Sequence, residues 1–139
     1  MPAHIRITVN NLVFRTRMEE KAAPATCAAF LKVLPYHQKI IQARWSGEAA
    51  WIPLGEFKFG VDWENAISYP SPGEILLYPG GISETEILFP YGHCAFASKA
   101  GSLAGNHFLT VIEGQDQLTE LGRLVLWQGA QDIRFELIT

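Results

Sequence analysis

The clearest indication of the fold class comes from residues 73–112, GEILLYPGGISETEILFPYGHCAFASKAGSLAGNHFLTVI. It holds four short runs rich in aliphatic, β-branched and aromatic residues, at positions 73–78, 84–89, 93–97 and 106–112. Turn-forming residues, such as Pro79-Gly80-Gly81, separate these runs. A succession of short strands joined by turns is typical of an antiparallel barrel or sandwich.

The residues before this stretch continue the β pattern. Positions 5–9 and 12–18 alternate between apolar and polar residues around Asn10-Asn11, which predicts an N-terminal hairpin because Asn tolerates positive φ. Positions 39–45 and 49–54 have strand composition and are joined by a Ser-Gly-Glu turn. Positions 55–72 are rich in Gly, Pro and aromatic residues, which predicts a long loop with one short strand.

Two segments have helical patterns instead. Pro24 is suited to the first turn of a helix and Pro35 ends it, which predicts a helix of about ten residues. Its apolar face is formed by Ala28, Phe30, Leu31 and Leu34. Positions 116–127 predict a second helix that ends before Gly129, and a closing strand follows at 132–137. The apolar face of the second helix is formed by Leu118, Leu121, Leu124 and Val125.

Length and composition favour one folded domain covering residues 1–139. The chain is 48% apolar and 18% charged, a balance that allows a core large enough to offset the entropy of folding. A net charge of -3 with scattered Lys and Arg disfavours nucleic acid as a partner. No apolar run is long enough to cross a membrane, so we expect a cytoplasmic protein. Cys27 and Cys94 are expected to be reduced and buried.

Two motifs next to the predicted helices carry a family resemblance. The motif Pro24-Ala-Thr26-Cys-Ala-Ala-Phe30 resembles the Pro-x-Thr-x-x-x-Phe pattern at the first helix of cyclophilins. The motif Val111-Ile-Glu-Gly-Gln-Asp116 is similar to their Val-x-Glu-Gly-x-Asp pattern before the second helix. The resemblance implies a mainly β fold, namely a cyclophilin-like closed antiparallel β-barrel with two short helices.

Further stretches resemble a narrower family. These are Trp45-Ser-Gly-Glu-Ala49, Gly73-Glu-Ile75, Tyr78-Pro-Gly80 and Phe89-Pro-Tyr-Gly92. They look like an uncharacterised bacterial cyclophilin-like protein family, of the domain-of-unknown-function 3830 type. That likeness implies a fold without a known reaction. The Phe-His-Arg and Gln-Gly-Gly stretches of authentic prolyl isomerases have no counterpart here, although Arg44 and His107 lie near the corresponding strands.

The first candidate ligand-binding cluster lies around the predicted turn at positions 46–48. It consists of Arg44, Trp45, Glu48 and Trp51, which supply a cation, a carboxylate and two large aromatic surfaces. Such a set can orient a polar ligand beside apolar walls. The alternative is a surface Arg44–Glu48 ion pair above buried tryptophans.

The second candidate ligand-binding cluster lies around two proline-containing turns and consists of Tyr78, Tyr91, His93 and Phe96. Loops at one rim of a barrel can converge on a small molecule, and an imidazole can exchange protons near neutral pH. The alternative is a hydrogen-bonded structural histidine. A thiol nucleophile at Cys94 is disfavoured, because neighbours on a strand point to opposite faces.

Two other groups of polar residues are given structural interpretations. Glu84 and Glu86 share one strand face by their spacing, and the simplest interpretation is solvent-facing charge. The four histidines, His4, His37, His93 and His107, lack metal-ligand spacing. We therefore expect neither a metal nor another cofactor.

Three functions remain open, and the sequence leaves unresolved whether the protein is an enzyme. The first hypothesis is binding of a small polar ligand, a carboxylate or amide, in a barrel-rim pocket. The second is an atypical peptidyl-prolyl cis-trans isomerase in which Arg44 supports a peptide carbonyl. The third is an oligomeric structural or accessory protein that associates through aromatic residues between Phe57 and Tyr69.

Overall fold

The computed structural model describes residues 3–138. Over this range the chain is mostly β-strand, with one helix after the first two strands and another before the last. In chain order the elements are β1 (His4–Val9), β2 (Leu12–Met18), α1 (Pro24–Leu31), β3 (Tyr36–Gln42), β4 (Gly47–Gly55), β5 (Ala66–Ile67), β6 (Glu74–Tyr78), β7 (Thr85–Cys94), β8 (Ala97–Ser98), β9 (Gly101–Ser102), β10 (Gly105–Glu113), a 3-10 turn (Gln115–Gln117), α2 (Leu118–Trp127) and β11 (Gln131–Leu137).

Eight of the strands close into an antiparallel barrel. Their order around the barrel is β2-β1-β11-β3-β4-β7-β6-β10, and pairing of β10 with β2 closes the ring. Every neighbouring pair in this ring is antiparallel. The short strand β5 adds to β10 outside the ring, within the predicted long loop. The predicted fold class, a mainly β closed antiparallel barrel with two helices, is confirmed.

The barrel interior is filled by apolar side chains from alternate strand positions, because the side-chain period of two sends every second residue inward. Fully buried members of this core include Ile5, Ile7, Phe14, Ile52, Ile75, Leu77, Ile87 and Phe89. From α1, Phe30 meets Phe108 and Phe135 edge-on, with ring centroids 5.1 Å apart in both cases. The predicted apolar face of α2 is confirmed, since its four residues all belong to the same core.

A polar network holds the loop before β5 against the start of α1. The carboxylate of Glu64 accepts hydrogen bonds from the backbone N–H of Thr26 at 2.6 Å and from its hydroxyl at 2.7 Å. The buried Asn106 side chain donates to the Thr26 hydroxyl at 3.0 Å and accepts from the Glu64 N–H at 3.1 Å. Glu64 therefore stabilises the start of the helix by accepting from a backbone N–H that the first turn leaves open, and the Thr26 hydroxyl links Glu64 to Asn106.

A second apolar layer, the outer cluster, lies outside the barrel on the outward faces of β4, β6 and β7. Residues 95–104, which contain β8 and β9, fold back over these faces and contribute to the cluster. Its buried members are Ala49, Leu76, Tyr78, Leu88, Cys94, Phe96 and Leu103. A sheet face that a simple barrel exposes to water is therefore partly covered here.

The prediction of separate strands at 84–89 and 93–97 is wrong. Strand β7 continues through Pro90, which pairs with Ala49 on β4, up to Cys94. A register shift between Gly47 and Ala49 accommodates this irregular part of the ladder, because a proline cannot donate a ladder hydrogen bond. Beyond Cys94 the chain leaves the sheet, so Phe96 packs into the outer cluster from outside any strand.

Two other predicted boundaries also differ from the structure. Strand β3 ends at Gln42, so Trp45 lies in the turn before β4. Helix α1 ends at Leu31, which leaves Leu34 outside the helix although it still packs against the core. No helix within residues 3–138 combines the length and apolar character that crossing a membrane requires.

Candidate functional site

A cleft with a volume of about 360 Å³, the outer cleft, opens on the outside of the barrel next to the outer cluster. Four separate stretches form it: the turn between β3 and β4, strand β4 at Trp51, the start of β7 with the turn before it, and the β8–β9 hairpin. The side chains that matter for its chemistry are Arg44, Trp45, Trp51, Ile82, Glu86 and Lys99.

Hydrogen bonds fix the turn against the hairpin on one side of the cleft. The Ser46 hydroxyl donates to the carbonyl of Ala97 at 3.2 Å and accepts from its N–H at 3.1 Å. The Ser46 carbonyl accepts from the N–H of Ala95 at 3.0 Å. Ser46 is buried, so these bonds are shielded from water. Two walls of the outer cleft are therefore held together before any ligand arrives.

The rim of the outer cleft combines apolar surface with positive charge. Trp45 is 56% exposed and Ile82 is 80% exposed, while Trp51 is half-buried in the wall between them and the outer cluster. Arg44 and Lys99 reach the rim from the turn and the hairpin. Neither forms an ion pair with a carboxylate in the described part of the chain. Both cations are therefore available to an anionic ligand.

Glu86 lies at the floor of the cleft, and only 5% of its surface is exposed. On β7 it shares the outward face with Leu88 and lies across from Tyr78 on β6 and Pro53 on β4. Burial, together with the nearby Glu84 carboxylate, raises the pKa of Glu86 to about 8. At neutral pH the floor of the cleft therefore carries a largely neutral carboxylic acid.

The interpretation of Glu86 as solvent-facing charge is wrong. The spacing correctly places Glu84 and Glu86 on the outward face, but only Glu84 is exposed there. The side chains around the cleft cover Glu86, whereas Glu84 lies at the edge and accepts a hydrogen bond from the N–H of Gly55 at 3.0 Å. Sequence alternation identifies the face of a strand but not what packs on that face.

One known protein family matches the chain over most of its length. The profile of a family described as "Protein of unknown function (DUF3830)" matches residues 5–137. The chain belongs to this family. No curated protein sequence matches it significantly.

Two solved structures are similar in fold to this DUF3830 chain. A structure of McbB in complex with tryptophan aligns with a TM-score of 0.73 and 16% identity, and covers 95% of this chain. The chain spans only 44% of the McbB chain. The solution structure of the hypothetical protein AF2241 from Archaeoglobus fulgidus has a TM-score of 0.64 and 18% identity, covering 99% of this chain and 95% of AF2241. At these identities the likeness shows the fold alone.

Arg44, Trp45 and Trp51 from the first predicted cluster meet in the outer cleft of this DUF3830 protein, whereas Glu48 lies elsewhere. The alternative Arg44–Glu48 ion pair is absent from the described residues. A carboxylate oxygen of Glu48 instead accepts a hydrogen bond from the backbone N–H of His93 at 2.8 Å. Glu48 therefore stabilises the end of β7.

Tyr91 and Glu48 line a separate cleft between β7 and α2. The Tyr91 hydroxyl donates to the side-chain carbonyl of Gln42 at 2.6 Å, and burial raises the pKa of Tyr91. The ring packs directly over Gly122 of α2, where an added Cβ would overlap the Tyr91 Cε1. The glycine inside the helix therefore allows the tyrosine to approach closely.

The remaining predicted residues are also outside the outer cleft. His93 is exposed and lines a shallow groove with Tyr69 and Pro70. Tyr78 and Phe96 are 3% and 1% exposed and pack edge-on in the outer cluster, with ring centroids 5.8 Å apart. The structure thus distributes the eight predicted residues over several places, and ligand binding at each remains a prediction.

His107 joins a polar network on the outside of β2 and β10. Its Nε2 lies 2.7 Å from the Thr110 hydroxyl, which donates to a Glu19 carboxylate oxygen at 2.5 Å. Burial opposes ionisation of Glu19, but the hydrogen bonds from Thr110 and Arg17 and the charge of Arg17 hold its pKa below the usual value. This network connects β10 with the residues after β2 and is separate from the outer cleft.

Both cysteines match the expectation of buried, reduced thiols. Burial raises the pKa of Cys27 to about 12, assisted by nearby carboxylates, and that of Cys94 to about 11. A thiol with such a pKa is almost wholly protonated at neutral pH and is a weak nucleophile.

The aromatic residues predicted to associate with a second copy are partly exposed. Phe57, Trp63 and Tyr69 have exposed fractions of 48%, 46% and 76%. The Trp63 indole donates to the carbonyl of Ala104 at 2.8 Å, so its loop is attached to the end of the β8–β9 segment. Association through this surface remains a prediction.

Sequence reasoning did not identify Ile82, Glu86 and Lys99 as site residues. Ile82 and Lys99 lie in turns whose sequences carry no binding motif, and Lys99 reaches the cleft because the β8–β9 hairpin folds back on the sheet. The one available signal was the Glu-Thr-Glu spacing, which places Glu86 on the outward face next to β4.

Proposed function

We propose that the protein binds a small carboxylate with a flat apolar body in the outer cleft. The ligand's carboxylate is held by Arg44 and Lys99, and its apolar body lies against Trp45, Trp51 and Ile82. The observation that carries this proposal is the pair of cations without ion-pair partners beside partly exposed apolar side chains. Guanidinium groups bind carboxylates by charge-assisted, often bidentate hydrogen bonds.

Three features support this choice of ligand. The cleft volume of about 360 Å³ is near the lower end of the usual range for small-molecule sites. The bonds of Ser46 hold the walls in place, which lowers the entropy lost on binding. McbB, which is similar in fold, forms a complex with tryptophan, itself a carboxylate with a flat apolar ring.

Calorimetric titration of the full chain with para-isopropylbenzoate tests the proposal. The matched probe is para-isopropylbenzamide, which has the same shape but no charge. The benzoate should bind more tightly than the amide, and Arg44→Gln should weaken benzoate binding by about tenfold or more. Arg134→Gln, which changes an exposed arginine on β11, is the control and should leave binding unchanged. Equal binding of both probes, or no effect of Arg44→Gln, would contradict the proposal.

A second candidate function is peptidyl-prolyl isomerisation, favoured by the position of Arg44 next to apolar walls of the outer cleft. In this function Arg44 donates to the carbonyl before a proline whose ring lies against Trp45 or Trp51. The uncatalysed reaction takes tens to hundreds of seconds, so acceleration is easy to detect in a proline-containing peptide. Failure of the wild-type protein to accelerate it rejects this candidate and leaves the carboxylate proposal standing.

A further inference from the structure

The carboxyl group of Glu86 is nearly covered by protein yet has no protein partner. It forms no hydrogen bond or ion pair with any group in residues 3–138. No fully enclosed side-chain oxygen or nitrogen in the described chain lacks a hydrogen-bond partner. The Glu86 oxygens must therefore retain a small contact with the outer cleft, which Glu86 lines. A polar group left in this position is unusual, because a nearly buried carboxyl without a hydrogen-bond partner destabilises the fold.

The groups around Glu86 come from every element of the cleft. The residue before β7 contributes Glu84, and β6 contributes the phenol of Tyr78. The β3–β4 turn contributes Arg44 and the β8–β9 hairpin contributes Lys99. From β4 come Pro53 and Trp51, neither of which titrates. None of these groups binds the Glu86 carboxyl in the structure, so the carboxyl remains available to a ligand.

A neutral carboxylic acid differs from a carboxylate in carrying a hydrogen-bond donor. Burial and the nearby Glu84 carboxylate favour this protonated form, with a pKa of about 8. An acceptor oxygen of a ligand would satisfy the O–H group at the floor, while an apolar atom would leave it without a partner. The cleft therefore offers two cations and the Glu84 carboxylate at its rim, and the neutral O–H donor of Glu86 at its floor.

We propose, on the basis of the function proposed above, that the ligand carries a neutral acceptor oxygen remote from its carboxylate, and that the carboxylic acid of Glu86 donates a hydrogen bond to it. The ligand class is thereby narrowed from small apolar carboxylates to those with a carbonyl or ether oxygen at the other end. An ammonium as the remote group is disfavoured at the floor of the cleft, because the neutral carboxylic acid of Glu86 offers it no opposite charge there.

Three benzoate probes of similar size test whether Glu86 prefers a neutral acceptor, an apolar group or an ammonium. They are para-acetylbenzoate, which has a carbonyl acceptor, para-isopropylbenzoate, which has none, and para-(aminomethyl)benzoate, which has an ammonium. Each is titrated into the full chain by calorimetry at about pH 6.5 and about pH 9, where all three carboxylates are ionised.

At about pH 6.5 the acetyl probe should bind about five- to tenfold more tightly than the isopropyl probe, as expected for one hydrogen bond. Its affinity should fall toward that of the isopropyl probe as the pH rises through the pKa of Glu86 to about pH 9, because the ionised carboxylate cannot donate. Glu86→Gln retains a donor but cannot ionise, so it should keep acetyl-probe binding and abolish the pH dependence.

Glu84→Gln is the control for a neighbouring carboxylate. It should retain the pH dependence but move its midpoint to lower pH, because Glu84 raises the pKa of Glu86. Should Glu86→Gln fail to fold, the comparison of probes on the wild-type protein still decides the question.

Two outcomes would contradict the inference about Glu86 while leaving the proposed function standing. One is equal and pH-independent binding of the acetyl and isopropyl probes. The other is tightest binding by the aminomethyl probe, with an affinity that rises with pH, which would show that Glu86 binds a cation as a carboxylate. If none of the benzoates binds, the proposed function fails and the inference fails with it.

Discussion

Glu86 on β7 lies directly across from Tyr78 on β6, and both side chains point away from the barrel interior. Tyr78 is 3% exposed and Glu86 is 5% exposed, yet their surroundings differ. The tyrosine ring packs against Trp63 and Phe96, whereas the glutamate lines the outer cleft. One cross-strand pair thus joins the apolar layer outside the barrel to the floor of the candidate site.

The buried carboxyl of Glu86 should make folding stability depend on pH. Its pKa rises from an ordinary 4.5 to about 8 in the folded protein. At pH values below the ordinary pKa of 4.5, the Glu86 carboxyl is protonated in both the folded and the unfolded chain, so it costs the fold no stability. Between the two values the unfolded chain releases a proton that the folded chain keeps, so this group destabilises the fold progressively as pH rises.

Glu86→Gln should therefore increase the free energy of unfolding more at about pH 8 than at about pH 5, by roughly 1–4 kcal/mol. Urea unfolding of wild type and variant at both values measures this difference. Comparing the two proteins at each pH removes the contribution of other titrating groups. An equal change at both pH values would show that Glu86 ionises normally in the folded protein.

A substitution at Gly122 in α2 tests whether packing against Tyr91 outweighs helix propensity at this position. On helix propensity alone, Gly122→Ala should stabilise the helix by about 1 kcal/mol. The added methyl group would overlap the Tyr91 ring at its Cε1 atom. We therefore expect destabilisation by about 1–3 kcal/mol, measured by thermal or urea unfolding.

A double-mutant cycle identifies the cause of this effect. In a Tyr91→Ala background the ring is gone, so Gly122→Ala should become neutral or stabilising. Persistent destabilisation in that background would mean that the overlap with Tyr91 is not responsible.

The Glu64 side chain should stabilise the start of α1. Glu64→Ala removes the acceptor for both the backbone N–H and the hydroxyl of Thr26, and should lower the free energy of unfolding by about 1–2 kcal/mol. Glu113→Ala, at an exposed position at the end of β10, is the control. If both variants lose the same stability, the network around Thr26 contributes nothing specific.

Local patterns in the sequence are sufficient to predict much of the barrel. The apolar periodicity of α2 identifies all four of its predicted core residues. Asn10 adopts a φ of 55°, as expected for the N-terminal hairpin turn. Both features depend on residues close together in the chain, and such local signals are the ones that a sequence displays directly.

The candidate site is only partly predictable, because its residues are distant in sequence. The predicted turn correctly groups Arg44 with Trp45 and Trp51. The burial of Glu86 and the approach of Lys99 depend on how residues 95–104 fold back over the sheet, which no local pattern indicates. Glu48 lies at the same turn in the sequence as Arg44 and Trp45, yet its carboxylate accepts a hydrogen bond from the backbone N–H of His93.

The most direct test of ligand binding at the outer cleft is a crystal structure of the full chain with para-acetylbenzoate. The predicted result places its carboxylate against Arg44 and Lys99, its ring beside Trp45 or Trp51, and its carbonyl oxygen within hydrogen-bond distance of Glu86. A benzoate bound instead in the cleft beside Tyr91 and α2, with the outer cleft empty, would contradict the account.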